Sequence, residues 1–247
     1  MDPREKQVIY VTNDMLINQL RRDALLIADS FDRLHDGDLR EMSQLLGSAS
    51  FLLFTGFRHS VQQGDELRTV AAQLTFNAIN TFLGAATLLR NGFYLQAAIL
   101  VRSIVETLAA VLHLITTPAD LPRLAGSTLD LKTTLSSAKT ILPPFGKLYG
   151  FFSKGFVHVG SLHGQLQPVA PYEGKSDELD ANIGFLRMSI WLIYVVVELL
   201  FVDLSDSGKY WQQLGHGRVA YQPSEETIRW QESFLKGATQ SAEAQDE

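Results

Sequence analysis

LLRNGFYLQAAILVRSIVETLAAVLHL, residues 88–114, is the stretch that decides the predicted fold. It is apolar on nearly every side, which is typical of a helix surrounded by other helices. At 100° per residue, Arg102, Glu106 and His113 fall within about 40° of one another and form one narrow stripe. The stretch therefore predicts an all-α protein with this helix at its centre and a polar seam inside it.

The polar stripe has ordinary structural explanations as well. Arg102 and Glu106 are four residues apart, so on a helix they can simply neutralise each other. If both lie inside, replacing Glu106 by Ala would leave a buried uncompensated charge, at a cost of about 3–5 kcal/mol. His113 fits a core histidine with satisfied hydrogen bonds.

Proline placement divides the chain around this helix. No proline occurs between Pro3 and Pro118, so the first half can form long helices. Short, punctuated elements follow Thr117, and a last long helix is predicted over 177–205. Five polar residues of that helix share one face: Asp180, Arg187, Tyr194, Glu198 and Ser205. The pattern predicts an antiparallel bundle of four to five long helices without a sheet of any size.

The first half is predicted to hold three helices ahead of the central one. HDGD at 35–38 should separate the first two, and Gly47 and Gly56 in the second would allow a neighbour to approach closely. The third spans about 66–90. Its polar stripe consists of Gln73, Asn77, Asn80, Gly84, Thr87 and Asn91. That stripe could face the stripe of the central helix or another partner.

We predict a single helical domain over 1–207 and a peripheral remainder over 208–247. The remainder reads as a connector with a tryptophan, a short helix that begins at 223–226, and a polar tail. The tail begins at about Gly237 and is expected to be disordered, because it has few apolar residues to bury.

Composition excludes several classes of function. A net charge of -6 gives no general attraction for nucleic acids or anionic membranes, so a nucleic-acid site must be local. The absence of cysteine excludes disulfides, zinc–thiolate sites and thiol nucleophiles. The N-terminus has no secretory signal, which predicts a cytoplasmic location. The apolar run at 190–204 contains Glu198 and Asp203 and is shorter than a bilayer span, so no membrane contact is expected.

Motifs for metals and cofactors are weak. His158 and His163 are five residues apart with no third ligand nearby, which does not make a metal site. The glycines of this region match no phosphate-binding or dinucleotide-binding fingerprint. We therefore expect neither a metal nor a cofactor.

Two stretches together resemble a known family. The first holds LRNG at 89–92, AA at 97–98 and LVRSIVE at 100–106, and the second is LYGFFSKGFVH at 148–158. They resemble a bacterial family of helical proteins allied to the HEPN superfamily, over roughly residues 66–202. The resemblance implies a HEPN-like all-α bundle, often a homodimer, in a superfamily that includes metal-independent ribonucleases of toxin and phage-defence systems.

The same resemblance suggests a catalytic set. Its nucleases carry an Arg four to six residues before a His, whereas here Ser153 precedes His158 at that spacing, with Lys154 beside it. Cleavage needs a base for the ribose 2′-hydroxyl and a cation for the charge that develops at phosphorus. His158 is the candidate base, helped by Ser153. Lys154 or Arg102 is the candidate cation, and Glu106 competes for the charge of Arg102.

Two hypotheses of different classes follow. The first is a metal-independent ribonuclease or toxin-type effector of a bacterial defence or toxin–antitoxin system, homodimeric and acting on RNA. The second is a catalytically silent helical domain that binds a small ligand or a protein partner. The missing arginine and the pI of about 5.5 favour the second, and His158 beside a glycine-rich turn favours the first.

Overall fold

A computed structural model describes residues 13–142, 145, 149, 169–204, 208–215 and 218–236. Its helices are α1 (Met15–Asn18), α2 (Ala24–Gln63), α3 (Glu66–Arg90), α4 (Tyr94–Thr116), α5 (Leu121–Ala125), α6 (Leu131–Ile141), α7 (Asp177–Leu200) and α8 (Glu225–Lys236). A π-helical turn, Gln19–Asp23, joins α1 to α2, and 3-10 turns span Pro118–Asp120 and Val202–Leu204. Two strands, β1 (Trp211–Gly215) and β2 (Arg218–Tyr221), form an antiparallel hairpin. The predicted all-α bundle is confirmed, with four helices of more than 20 residues.

The core lies where α4 and α7 meet the other long helices. α4 packs against α3, α6 and α7, and α7 also packs against α2 and α3. From Ser189 to Glu198 every residue of α7 is buried, because neighbours surround the helix. Both helices are apolar and long enough to cross a membrane, but 83% of the most apolar window of α7 and 56% of that of α4 is buried inside the bundle. Core helices of soluble proteins have the same features.

Local sequence signals set the helix ends. Gly64 ends α2 in a left-handed conformation with φ 67°, which glycine adopts without strain. The Asp65 side chain then caps α3 by accepting a hydrogen bond from the backbone N–H of Arg68. Asn91 and Gly92 turn the chain between α3 and α4, with φ 86° at Gly92. Ser176 caps α7 through the N–H of Leu179.

One expectation about the first half is wrong, and one question that the sequence left open is answered. HDGD at 35–38 does not separate two helices, since α2 continues through it with a kink at His35 (φ -127°, ψ 21°). The side chains of His35 and Asp38 point into the core and bond to each other, which favours continued helix over a solvent-exposed turn. The polar stripe of α3 faces away from the bundle, because Gln73, Asn77 and Asn80 are exposed.

The C-terminal part packs onto the bundle more closely than its composition indicates. Tyr210, Trp211 and Phe234 are at most 5% exposed and belong to the main hydrophobic cluster. Trp211 also donates its indole N–H to the backbone carbonyl of Val195 in α7. The hairpin was not predicted, because two strands of five and four residues are too short for a clear alternating pattern. The expected tail from Gly237 lies outside the described residues.

Candidate functional site

α4 and Tyr149 bring three of the relevant side chains together. One turn of helix separates Arg102 from Glu106, and Arg102 Nε donates to Glu106 Oε1 at 2.7 Å. Arg102 Nη2 also donates to the Tyr149 hydroxyl at 3.1 Å, and its guanidinium carbon lies 5.2 Å from the centre of the tyrosine ring. The site is partly open, since the Arg102 and Glu106 side chains are 18% and 31% exposed.

The guanidinium of this site remains charged. Burial would lower the pKa of Arg102, but the hydrogen bond and negative charge of Glu106 outweigh it and raise that pKa above its ordinary value. Arg102 therefore offers a fixed cation beside one carboxylate and one phenol. Such a group can stabilise a developing anion, although Glu106 already neutralises part of its charge.

The other predicted catalytic residues lie outside the described part of the chain. These are Ser153, Lys154 and His158. The structure thus brings Arg102 and Glu106 together, as their spacing predicted, and adds Tyr149. Tyr149 was quoted only as part of the stretch that carries the resemblance. Its position at the head of that stretch was the available signal.

His113, the third member of the α4 stripe, belongs to a different cluster. Its Nδ1 lies 2.8 Å from the Ser137 hydroxyl and its Nε2 lies 2.8 Å from Asp120 Oδ2, with 4% of the side chain exposed. The hydrogen bond from His113 lowers the pKa of Asp120, and Arg123 adds to the effect. The expectation of a satisfied core histidine is confirmed.

The most buried charge of the described structure is Arg187 on α7, which has no exposed surface. Its Nε and Nη2 donate to Asp38 Oδ1 at 3.0 and 2.6 Å. Its Nη1 donates to Glu41 Oε2 at 2.6 Å and to the backbone carbonyl of Phe234 at 2.9 Å. One side chain thus connects α2, α7 and α8.

Asp38 is the acidic centre of this network. His35 Nδ1 donates to Asp38 Oδ2 at 2.8 Å, so each carboxylate oxygen has a donor. Burial alone would raise the pKa of Asp38, but the hydrogen bonds from His35 and Arg187 and the charge of Arg187 outweigh it and lower that pKa to about 2. The carboxylate is therefore ionised at neutral pH.

Sequence reasoning recognised only one side of this network. It placed Arg187 on a polar face of the last long helix, but it assigned Asp38 to a turn. Had 35–38 been read as helix, Asp38 and Glu41 would have stood three residues apart on one face, ready for a cation.

A cavity of about 380 Å³ adjoins this network. α2 and α8 supply all of its lining residues except Lys209. The lining residues are Glu41, Gln44, Leu45, Ser48, Lys209, Trp230, Ser233 and Phe234. Glu41 and Phe234 belong both to this lining and to the contacts of Arg187, so the cavity rests on the buried ion-pair network.

No family model, no curated protein and no solved structure matches the chain. These comparisons lend no support to the expected resemblance to the HEPN superfamily, which stays a prediction from the short stretches at 89–106 and 148–158. Any function must be argued from the two arrangements above, the Arg102 site and the cavity beside Arg187.

Proposed function

We propose that the chain is a metal-independent endoribonuclease of the toxin or phage-defence type, cytoplasmic and active as a homodimer. The observation that supports this most directly is the hydrogen bond between Arg102 and Tyr149. It joins the central helix to the head of the segment 149–163, which carries Ser153, Lys154 and His158. A fixed cation in a partly open site thus contacts Tyr149, nine positions before the candidate base in the sequence.

In this proposal His158 removes the proton of a ribose 2′-hydroxyl, and the 2′-oxygen attacks the adjacent phosphorus. Arg102 and Lys154 stabilise the negative charge that develops on the phosphate oxygens. The bond from phosphorus to the 5′-oxygen breaks, and that oxygen takes up a proton. The products are a 2′,3′-cyclic phosphate and a 5′-hydroxyl end. Glu106 orients Arg102, and Ser153 donates a hydrogen bond to the phosphate.

The test uses the purified full chain with single-stranded RNA and a metal chelator. Cleavage should leave 2′,3′-cyclic phosphate ends, and His158→Ala and Arg102→Ala should each reduce the rate by at least about 100-fold. Arg40→Ala is the matched control, because Arg40 is exposed and pairs with Asp36 of the same helix. If the wild-type chain leaves the RNA uncleaved, the ribonuclease proposal is wrong.

A second candidate function is a catalytically silent domain that binds a small ligand or a protein partner. Two observations favour it: Glu106 holds Arg102 at 2.7 Å, and a separate cavity adjoins Arg187. Under this function His158 is hydrogen-bonded within the bundle. His158→Ala should then lower the free energy of unfolding by about 1–3 kcal/mol with no activity to lose. An unchanged melting temperature in that variant would count against it.

A further inference from the structure

We propose that the cavity between α2 and α8 binds a free amino acid with an apolar side chain. The proposal rests on the second candidate function, a ligand-binding helical domain, and is independent of RNA cleavage.

Glu41 and Lys209 place opposite charges in the same cavity without pairing to each other. They form no salt bridge, so their charged atoms are more than 4.0 Å apart. A ligand with one charge would leave the cavity residue of the same sign facing it without a partner. A zwitterion supplies an ammonium group for Glu41 and a carboxylate for Lys209 at once.

The acidic end is fixed in place. Arg187 holds Glu41 Oε2 at 2.6 Å and is itself fully buried and bonded to Asp38 and to the carbonyl of Phe234. The Glu41 side chain is nevertheless 53% exposed, so a ligand can reach its carboxylate. A rigid, accessible carboxylate binds an ammonium group with little further loss of conformational entropy.

The basic end remains available to a ligand. The Lys209 ammonium nitrogen lies 5.7 Å from the ring centre of Tyr194 and 5.9 Å from that of Trp230. Within the described structure it forms no ion pair with a carboxylate. The rings orient the ammonium group through cation–π contacts without neutralising it. A ligand carboxylate would form an ion pair with this ammonium group.

The neutral lining suits the remainder of an amino acid. Trp230 is 42% exposed and is backed by Phe234, with ring centres 5.0 Å apart and an angle of 13° between the planes. With Leu45 it gives the cavity an apolar wall, whereas Gln44 and Ser48 supply hydrogen-bonding groups on α2. The volume of about 380 Å³ lies in the range of small-molecule sites.

The experiment titrates the full chain with L-leucine by isothermal calorimetry. Two analogues separate the charges: leucinamide lacks the carboxylate, and 4-methylpentanoate lacks the ammonium group. Each should bind at least about tenfold more weakly than L-leucine, because each loses one charge-assisted pair. The proposal is overturned if L-leucine does not bind, or if either analogue binds as tightly.

Variants then locate the site. Lys209→Gln should weaken binding of L-leucine at least about tenfold and leave leucinamide unaffected. Lys139→Gln, on an exposed position of α6, is the matched control and should bind like the wild type. Lys209 is preferred to Glu41 because Glu41 also supports the buried Arg187. Equal binding by Lys209→Gln and the wild type would overturn the proposal, while the stability of His158→Ala tests the second candidate function separately.

Discussion

Asp38 and Arg187 are 149 positions apart in the sequence, yet two N–H groups of Arg187 donate to the same carboxylate oxygen of Asp38, at 3.0 and 2.6 Å. The Asp38 side chain is 6% exposed and that of Arg187 is fully buried. A buried pair of this kind adds little net stability over apolar residues, but breaking it is costly. Its clearest structural effect is to fix how α2 and α7 sit against each other.

The first prediction concerns the removal of this carboxylate charge. Asp38→Asn should lower the free energy of unfolding by about 3–5 kcal/mol, because Arg187 keeps its buried charge and loses its main partner. Urea denaturation measures the change. Asp36→Asn, two residues away, removes a carboxylate from an exposed pair with Arg40 and should change stability by less than about 0.5 kcal/mol. Equal losses in the two variants would contradict the assignment.

The second prediction concerns the ion pair between Arg102 and Glu106 on α4. Glu106→Ala should destabilise the protein by about 1 kcal/mol, well below the about 3–5 kcal/mol expected for a buried pair. The reason is that Arg102 and Glu106 are 18% and 31% exposed, and Arg102 keeps a contact with Tyr149. When both variants are unfolded with urea, Asp38→Asn should lose more free energy of unfolding than Glu106→Ala. A larger loss in Glu106→Ala would mean that the Arg102–Glu106 pair is the more deeply buried of the two.

The third prediction compares two glycines of α2. A Cβ at Gly56 would overlap the ring of Phe201, whereas one at Gly47 would meet no atom of the described residues within 4 Å. Gly47→Ala should therefore stabilise the protein by about 0.5–1 kcal/mol through helix propensity. Gly56→Ala should destabilise it by about 1–3 kcal/mol. Melting temperatures that move in the same direction in both variants would contradict the packing at Gly56.

These two glycines show what can and cannot be predicted from helical periodicity. Both were expected to allow close approach of a neighbour, but only Gly56 does so. Helical periodicity shows which residues share a face, but it does not show which face another element covers. For the same reason the polar face of α3 was correctly grouped yet lies toward solvent.

The polar seam predicted on α4 shows the same limit of helical periodicity. The pattern of α4 predicted buried polar residues, and His113 is buried, but the most buried charged side chains are Arg187 and Glu198 of α7. The apolar residues of both helices correctly marked them as central. The polar partners of Arg187 could not be identified, because Asp38 and Glu41 come from a distant helix that was expected to be interrupted.

The candidate site was predictable only where its residues are close in sequence. Arg102 and Glu106 followed from a spacing of four on a helix. Tyr149 did not, because it is 47 positions from Arg102 and no periodicity links different elements. The cavity residue Lys209 was missed for the same reason, since its neighbours come from α2 and α8.

The last prediction is a pH dependence that arises from Asp38. Its pKa is about 2 in the folded protein against an ordinary value of 3.8. A carboxyl group with a lowered folded pKa stabilises the fold above its unfolded pKa and loses that contribution as the pH falls through its folded pKa. The part of the Asp38 contribution that depends on pH should therefore be complete above about pH 4 and disappear toward pH 2, with a size of about 2 kcal/mol.

The measurement compares wild type and Asp38→Asn by urea denaturation at several pH values between neutrality and about pH 2. The difference in the free energy of unfolding should be constant down to about pH 4 and then shrink, because Asp38 becomes protonated in the wild type while the amide that replaces it in the variant does not titrate. Because the other acidic residues are the same in both proteins, their effect on the free energy of unfolding largely cancels in this difference. Asp36→Asn should stay nearly parallel to the wild type, since the Asp36 side chain is 63% exposed. A difference that stays constant to pH 2 would mean that the carboxylate of Asp38 is not held by His35 and Arg187.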